Sequence, residues 1–594
     1  MCRIAGLLQK KMGLPELENT VTEMCTLQKH GGPDDGGIYT IPGQHLVLGN
    51  RRLSLLDLSA GGHQPMHYGD RFTITYNGEL YNFKALKEEL KAAGRQFVNE
   101  TDTEVILAAF ATWHTESFKK LNGMFAFALW DNREKCLYLV RDAAGIKPLY
   151  WSDHGGEMAF ASEMRAFAPV AYLQKKNNNI PVFQLAYGYI PEPVTTLAHV
   201  KPVPKGCYLK YDTETSSCSL FSYSFFSFSN RITEQTEARN ITRNETEDAV
   251  KRQMIADAQV GVFLSGGIDS AIIANLANDH GKNNLHTLSI WFGEENYSEK
   301  KYQDIVATQL NSIHHSFKLG EEDFHEHFPE ILRAMDMPSC DGINTWFISK
   351  FAAEAGLKAV LSGIGADELF GGYPSFRRMK AASLIQQLPA FSFKLAEKTQ
   401  VKKLNRISYL RLNGIRGLYL FLRGQFTPVQ IAKQTGAYEK EVWDILADMP
   451  ASPEFTRIGF KNTAAWMEFN LYMQDQLLRD ADVMSMAHGL EIRVPFLDNE
   501  VINGVYAISE KVKFGSFPKE LLVNSFKNIL PEEIWNRPKM GFSFPFAEWL
   551  RKSEYVKELE GSTNPHIRKA CIDFLKGSLH WSRIMSLIIL NRKV

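Results

Sequence analysis

The sequence predicts an α/β chain in two parts: a sheet sandwich with flanking helices, then a doubly wound parallel sheet with a largely helical C-terminal part. Three observations predict it. From Cys2 to about Lys210, short apolar runs follow one another across tight turns, with few helical stretches between them. From Glu245 onward, strand-like and helix-like segments alternate, and the strands are almost continuously apolar, as strands covered on both faces are. Beyond Pro374 helical patterning dominates.

In the first part Leu46–Gly49, Phe72–Tyr76, Phe125–Trp130 and Leu137–Val140 read as strands. Phe83–Ala93 and Asp102–Trp113 read as helices; Thr101 is placed to cap the second, and Glu104 to close a capping box with it. Thr213–Asp248 is rich in Ser, Thr, Phe and charge without a sustained period, so it reads as a strand followed by a connecting segment. The boundary falls there: residues 2–210 form one domain, 211–244 a linker and 245–594 the second domain. A helix after Glu245 leads into the strand Val260–Leu264, a glycine-rich turn and the helix Ser270–Asp279. The strand His286–Phe292, the helix Lys300–Asn311 and the strand Lys358–Leu361 continue the alternation.

Composition narrows the function. The 594 residues carry 67 basic and 67 acidic side chains, so no global basic excess suits nucleic acid or an anionic membrane. Lys402, Lys403, Arg406, Arg411 and Arg416 read as a solvated helical face. Seven scattered cysteines without a Cys-x-x-Cys pair argue against a disulfide framework or a structural zinc site. No basic-then-apolar leader and no membrane-length apolar run is visible, so the sequons at Asn240, Asn244 and Asn296 read as accidental and the compartment as cytoplasm.

Removal of Met1 would leave Cys2 with a thiol and a free α-amine, a nucleophile that carries its own base. The surrounding segments strengthen this: Met1–Gly6, His30-Gly31-Gly32-Pro33-Asp34, Arg52-Leu53-Ser54, Tyr76–Asn82, Gly123–Phe127 and Arg141–Tyr150. Through them the chain resembles the class II glutamine amidotransferases, N-terminal-nucleophile (Ntn) hydrolases with an αββα sandwich that take ammonia from glutamine. The resemblance implies that Cys2, Asn77 and Gly78 are catalytic, with the Asn77 amide and the Gly78 N–H as the oxyanion hole. It implies glutamine binding by Arg52, Leu53, Ser54, Leu55, Leu56, Asn77, Gly78, Glu79 and Asp102, with Arg52 on the carboxylate and Asp102 and the backbone near Glu79 on the amine. Where that family carries His-Arg-Gly-Pro-Asp, this chain has Gly31 in place of the arginine.

A second motif, Leu264-Ser265-Gly266-Gly267-Ile268-Asp269-Ser270, lies between a strand and a helix, where glycines and a helix N-terminus can hold phosphate. It lacks the Gly-Lys-[Ser/Thr] ending of a γ-phosphate loop, which suits attack at the α phosphorus with pyrophosphate leaving. It resembles the pyrophosphate loop of the N-type ATP pyrophosphatases. With Leu361–Tyr373, Leu478–Asp482, Glu491–Asp498, Lys519 and Arg537–Phe542, the chain resembles the glutamine-hydrolysing asparagine synthetases over nearly its whole length. The resemblance implies ATP and Mg²⁺. Leu264, Ile290, Ser362 and Gly363 would line the adenosine pocket; Ser265, Gly266, Gly267, Asp269, Ser270 and Lys519 would hold the pyrophosphate, and Asp269 and Asp367 the metal.

The implied activity is hydrolysis of glutamine at Cys2, internal passage of ammonia, and amidation of a carboxylate activated as acyl-AMP. Aspartate is the default acceptor by resemblance. Alternatives are another carboxylate, in surface-glycan or secondary-metabolite biosynthesis, or a binding protein with inactive sites. No nucleic acid or membrane partner is expected, and a homodimer is left open. One departure bears on the acceptor. The resembling synthetases carry Ser-Gly-Glu-Gly, whose glutamate is linked to intermediate formation and proton handling; here that position is Ile364.

Overall fold

The computed structural model describes residues 2–280, 285–389, 392–393, 405–412, 414–449, 458–538 and 544–592. Its N-terminal part stacks two six-stranded antiparallel sheets. The first has the order β10-β8-β9-β1-β3-β2, from β1 (Arg3–Leu8), β2 (Asp35–Thr40), β3 (Leu46–Arg52), β8 (Tyr150–Ser152), β9 (Met158–Ala161) and β10 (Lys201–Pro202). The second has the order β12-β11-β7-β6-β5-β4, from β4 (Met66–Tyr68), β5 (Phe72–Leu80), β6 (Gly123–Asp131), β7 (Cys136–Arg141), β11 (Cys207–Asp212) and β12 (Ser217–Ser222). Apolar side chains from both sheets, including Ile4, Leu48, Ala126, Trp130, Leu139 and Phe160, interleave in one buried cluster. Helix α1 (Leu14–Leu27) covers one outer face; α2 (Phe83–Ala92) and α3 (Asp102–Trp113) cover the other. The αββα layering expected of an Ntn hydrolase is present.

Thr101 caps α3 by accepting the Glu104 N–H at 3.2 Å. The expected capping box is not closed, because Glu104 spends its carboxylate on the N–H groups of Val98 and Asn99, both at 2.9 Å. Strand β12 lies within the stretch read as a strand plus connection, and it extends the second sheet.

Two further helices precede the third sheet: α4 (Ile180–Tyr187) and α5 (Gln235–Gln253), which starts ten residues before Glu245. The sheet is parallel, in the order β15-β14-β13-β16-β17, from β13 (Val260–Phe263), β14 (His286–Phe292), β15 (Ile313–Leu319), β16 (Ala359–Leu361) and β17 (Glu491–Arg493). Crossover helices α6 (Ile268–His280), α7 (Lys300–Leu310), α8 (Glu321–Ala334) and α9 (Ile343–Glu354) connect the strands, followed by the short α10 (Ala366–Phe370) and α11 (Pro374–Gln386). Strand order reverses between β13 and its neighbours β14 and β16, and open α/β sheets bind ligands at such a crevice. From Pro374 to the end, the described residues are helical except for β17 and connecting turns.

Among the described residues of the basic stretch, Arg406 and Arg411 do not form the expected solvated face. The Arg406 guanidinium is partly buried and donates to the carbonyls of Leu422 and Gly424, while Arg411 stacks on Trp443 at 4.4 Å. Lys402 and Lys403 lie outside the described residues, as do Lys539–Phe542. No helix among the described residues is long and apolar enough to cross a membrane.

Candidate active sites

Cys2 is buried at the start of β1, beside the middle of β5. Its backbone N–H donates to Asn77 Oδ1 at 3.2 Å, while Asn77 Nδ2 is buried without a hydrogen-bond partner. The amide is therefore oriented by the nitrogen of residue 2 and leaves one unused donor beside the thiol, as an oxyanion donor must be. Gly78 pairs with Phe125 across the β5–β6 ladder, and a Cβ there would lie 2.2 Å from the Met124 carbonyl, so the site tolerates no side chain. Burial pushes the Cys2 thiol above its ordinary value, with the Leu53 N–H and Arg52 acting in the opposite direction. Without a nearby base the thiol stays protonated.

Arg52 ends β3, and its guanidinium is wrapped by the loop that follows, donating to the carbonyls of Leu56 (3.1 Å), Asp57 and Ser59 (3.2 Å). These acceptors are neutral, so a carboxylate can compete for the same fork. The Ser54 N–H is held by Asp34, which also meets Lys358 of the second domain. The Leu55 carbonyl accepts the Asp257 N–H, and Asp257 in turn accepts the Asp57 N–H. Asp102 begins α3 and accepts the Tyr76 hydroxyl and the Leu80 N–H, both at 2.9 Å. Gly31 has a packing reason: a Cβ there would lie 2.8 Å from Arg3 Nε, and Arg3 is fully buried between Glu163 (2.6 Å) and Asp482 (2.9 Å).

Glu79 depends on the other domain. Burial and neighbouring Glu491 push its carboxyl well above the usual range, and Arg493 pulls it back. Arg493, in β17, pairs with Glu491 at 2.6 Å and approaches Glu79 at 3.5 Å. It also donates to the carbonyls of Gln253 and Ile255. Its own carbonyl accepts the Ser362 N–H at 2.8 Å, in the second site. Removing one partner of such a buried pair costs about 3–5 kcal/mol because the other charge is stranded. Arg493→Met is therefore expected to raise the glutamine KM by about 10-fold or more, with Arg493→Lys between it and native and ammonium-driven turnover much less affected. Steady-state kinetics with glutamine against ammonium checks this split.

At the second site the Ser265–Ser270 loop joins β13 to α6. Ser265 Oγ and Ser270 Oγ lie 3.0 Å apart, and Gly266 turns the chain with φ +81°. Leu264, Ser265, Asp269, Ser270, Ile290, Ser362, Gly363 and Asp367 line one cavity of about 290 Å³. Gly267, Asp269, Asp367, Lys519 and Arg537 line a second of about 580 Å³ that shares Ser265, Asp269 and Asp367 with the first. Gly266 lines neither; its carbonyl accepts Arg537, which also pairs with Glu299 at 2.6 Å. Between the cavities Lys519 Nζ sits 2.5 Å from both Asp269 and Asp367, and these charges hold its pKa above the ordinary lysine value despite burial. Two carboxylates converging on one cation are the oxygen donors a Mg²⁺ ion takes, and the loop at a helix N-terminus suits a polyphosphate. The residues fit Mg²⁺ and ATP.

The comparisons decide the family. A glutamine amidotransferase domain matches residues 1–223, and the asparagine synthase family matches residues 242–568. The chain belongs to the glutamine-hydrolysing asparagine synthetase family. Asparagine synthetase [glutamine-hydrolyzing] 1 of Bacillus subtilis is 31% identical, covering 96% of this chain and 92% of that protein. A putative asparagine synthetase [glutamine-hydrolyzing] of Mycobacterium tuberculosis is 32% identical over 91% of this chain and 86% of its own. A protein named amidase chry2, from Gibberella zeae, is 26% identical over 91% of this chain and 86% of its own. The synthetase is thus an enzyme that joins a glutamine amidotransferase to an amidating ligase.

Several residues at these sites were not singled out as site residues by sequence. Arg493 and Glu491 sit in the Glu491–Asp498 motif, but the approach of Arg493 to Glu79 spans more than 400 positions. Asp341 and Asp480, which line the smaller cavity, come from α9's N-terminal side and a later helix.

Proposed function

We propose that this synthetase hydrolyses glutamine at Cys2 and uses the ammonia to amidate a carboxylate activated by ATP in the smaller cavity, with residues 2–210 and 245–594 as the two catalytic domains. The unused Asn77 Nδ2 beside Cys2, in one chain with a lysine-free phosphate loop, is the observation that supports this most. The processed α-amine takes the thiol proton, and sulfur attacks the glutamine amide carbon. The tetrahedral oxyanion is received by Asn77 Nδ2 and the Gly78 N–H; ammonia leaves, and water releases glutamate from the thioester. In the second site the acceptor carboxylate attacks the α phosphorus, and the bond to pyrophosphate breaks. Ammonia then attacks the acyl carbon, and AMP leaves. Lys519 and the Ser265–Ser270 loop would hold the departing pyrophosphate, and Asp269 and Asp367 would hold Mg²⁺, which supplies charge neutralisation.

Phosphorus NMR of ATP consumed with acceptor and ammonium tests the reading: AMP and pyrophosphate are expected, and ADP with phosphate as primary products contradicts it. Aspartate is the acceptor suggested by the relatives' names. Ile364, which lines the cavity and can exchange no proton, favours another carboxylate. A positioned general base is worth about 10²–10⁴-fold. The native protein is therefore expected to make asparagine slowly, and Ile364→Glu to raise kcat by about 10²-fold while leaving the aspartate KM high. Chromatographic assay of asparagine from aspartate, ATP and ammonium checks both values; a brisk native rate that the substitution does not improve contradicts this.

A further inference from the structure

The adenylation cavity is lined by Leu264, Ile290 and the phosphate loop, to which the proposed function gives the nucleotide, and also by Asp341, Asn344, Glu368, Tyr373 and Asp480, with Tyr373 bonded to Glu368 and Asp480 packed beside Gly342. Five carboxylates line the cavity: Asp269, Asp341, Asp367, Glu368 and Asp480. No Lys, Arg or His lines it among the described residues. At its edge Lys519 is engaged by Asp269 and Asp367; behind the lining, Arg423 stacks on Tyr373 at 4.7 Å and pairs with Glu468 at 2.8 Å, and Arg479 donates to the Ile190 carbonyl.

Three of these carboxylates accept hydrogen bonds from neutral donors. Glu368 accepts the Tyr373 hydroxyl at 2.9 Å, Asp480 the Ser339 hydroxyl at 2.5 Å, and Asp341 the Gly342 N–H at 2.9 Å. Burial and neighbouring Asp341 push Asp480 up to about 7 against the pull of Arg479, and burial raises Asp341 as well. The end of the cavity where the acceptor must lie therefore disfavours added negative charge and gains from a cation.

We propose that the acceptor brings that cation: it is a monocarboxylic acid bearing an ammonium or guanidinium group, seated among Asp341, Glu368 and Asp480, and it carries no second carboxylate. This rests on the adenylation reading above. The acceptor's one carboxylate oxygen bonds to the α phosphorus as pyrophosphate departs, and ammonia replaces AMP at the acyl carbon, losing one proton. Throughout, the acceptor's distal cation remains paired with the acidic end. A dicarboxylate would place its second carboxylate among these acids where no Lys, Arg or His among the described residues lines the cavity, and such like-charge juxtaposition is strongly disfavoured.

The test compares acids of one chain length, 4-aminobutanoate and succinate, together with aspartate. Equilibrium titration is made in the presence of Mg²⁺ and α,β-methylene-ATP, which blocks transfer, so binding is read without turnover. The amino acid with one carboxylate is expected to bind about 10-fold or more tighter than succinate or aspartate. Asp341→Asn is expected to shrink that ratio and Asp341→Lys to invert it, with glutamine hydrolysis at Cys2 reporting that both variants are folded. Equal binding of the three acids, preference for a dicarboxylate, or a ratio unmoved by either substitution overturns the proposal. Assay of the same acids with ATP separates the two readings: AMP formation with a dicarboxylate preferred overturns only the charge assignment, whereas ADP formation overturns adenylation itself.

Discussion

Cys2→Ala is expected to abolish glutamine hydrolysis, a loss on the order of 10⁴-fold or more, while ammonium-driven amidation continues. In the proposed mechanism the Cys2 thiol forms the thioester, whereas Asn77, Gly78 and Arg52 would bind and stabilise without supplying a nucleophile. The second site takes nothing from sulfur. Glutamate release with glutamine, and AMP release with ammonium, measure the two halves separately. Unchanged glutamate release by the variant contradicts the nucleophile assignment.

Lys519→Met is expected to produce the opposite pattern. Lys519 lies 2.5 Å from both Asp269 and Asp367 and is itself buried, so the substitution removes a cation that the two carboxylates share where the proposed function places the polyphosphate. Loss of the buried cation leaves like charges facing each other, and loss of a charged contact to the leaving group adds to the barrier. Amidation with either nitrogen source should fall by about 10³-fold or more, while Cys2 still hydrolyses glutamine. Pyrophosphate release and glutamate release, measured on the same preparation, check this. Because Cys2 and Lys519 share no contact, the two patterns together separate the sites.

The legible parts of the fold were those whose signal is local. Helix α3 spans Asp102–Trp113 as read, because a Thr cap precedes an unbroken apolar run. Strand β14 matches His286–Phe292, an apolar run ending before turn residues. Strand β15 was passed over: Ile313-His314-His315-Ser316-Phe317-Lys318-Leu319 mixes polar residues through an edge strand, which loses the apolar signature of a buried one. Strand β17 was passed over for a different reason. Two of its three residues, Glu491 and Arg493, are charged and yet fully buried, because they neutralise each other beside Glu79. Thr101 was legible as a cap, but the partner of Glu104 was not, since Val98 and Asn99 compete for it from a preceding loop.

The same division applies to the sites. The Cys2 and Ser265–Ser270 motifs are contiguous, and contiguous chemistry can be read from sequence. The acidic end of the adenylation cavity is assembled from Asp341, Glu368 and Asp480, on three separate helical elements or their flanks, and only the fold makes them neighbours. Gly31 stood out as a departure from a family motif, and its explanation, the buried Arg3 side chain, lies 28 positions away on β1.

The central claim is that nitrogen released at Cys2 ends in the amide made in the adenylation cavity. Native protein given ATP, Mg²⁺, an acceptor acid and amide-¹⁵N glutamine, with unlabelled ammonium present, tests it by mass spectrometry of the product amide. Retention of ¹⁵N in the product, with glutamate and AMP formed in equal amounts, is the predicted result. A product labelled only to the level of the bulk ammonium, or glutamate formed without any AMP when a competent acceptor is present, would contradict it.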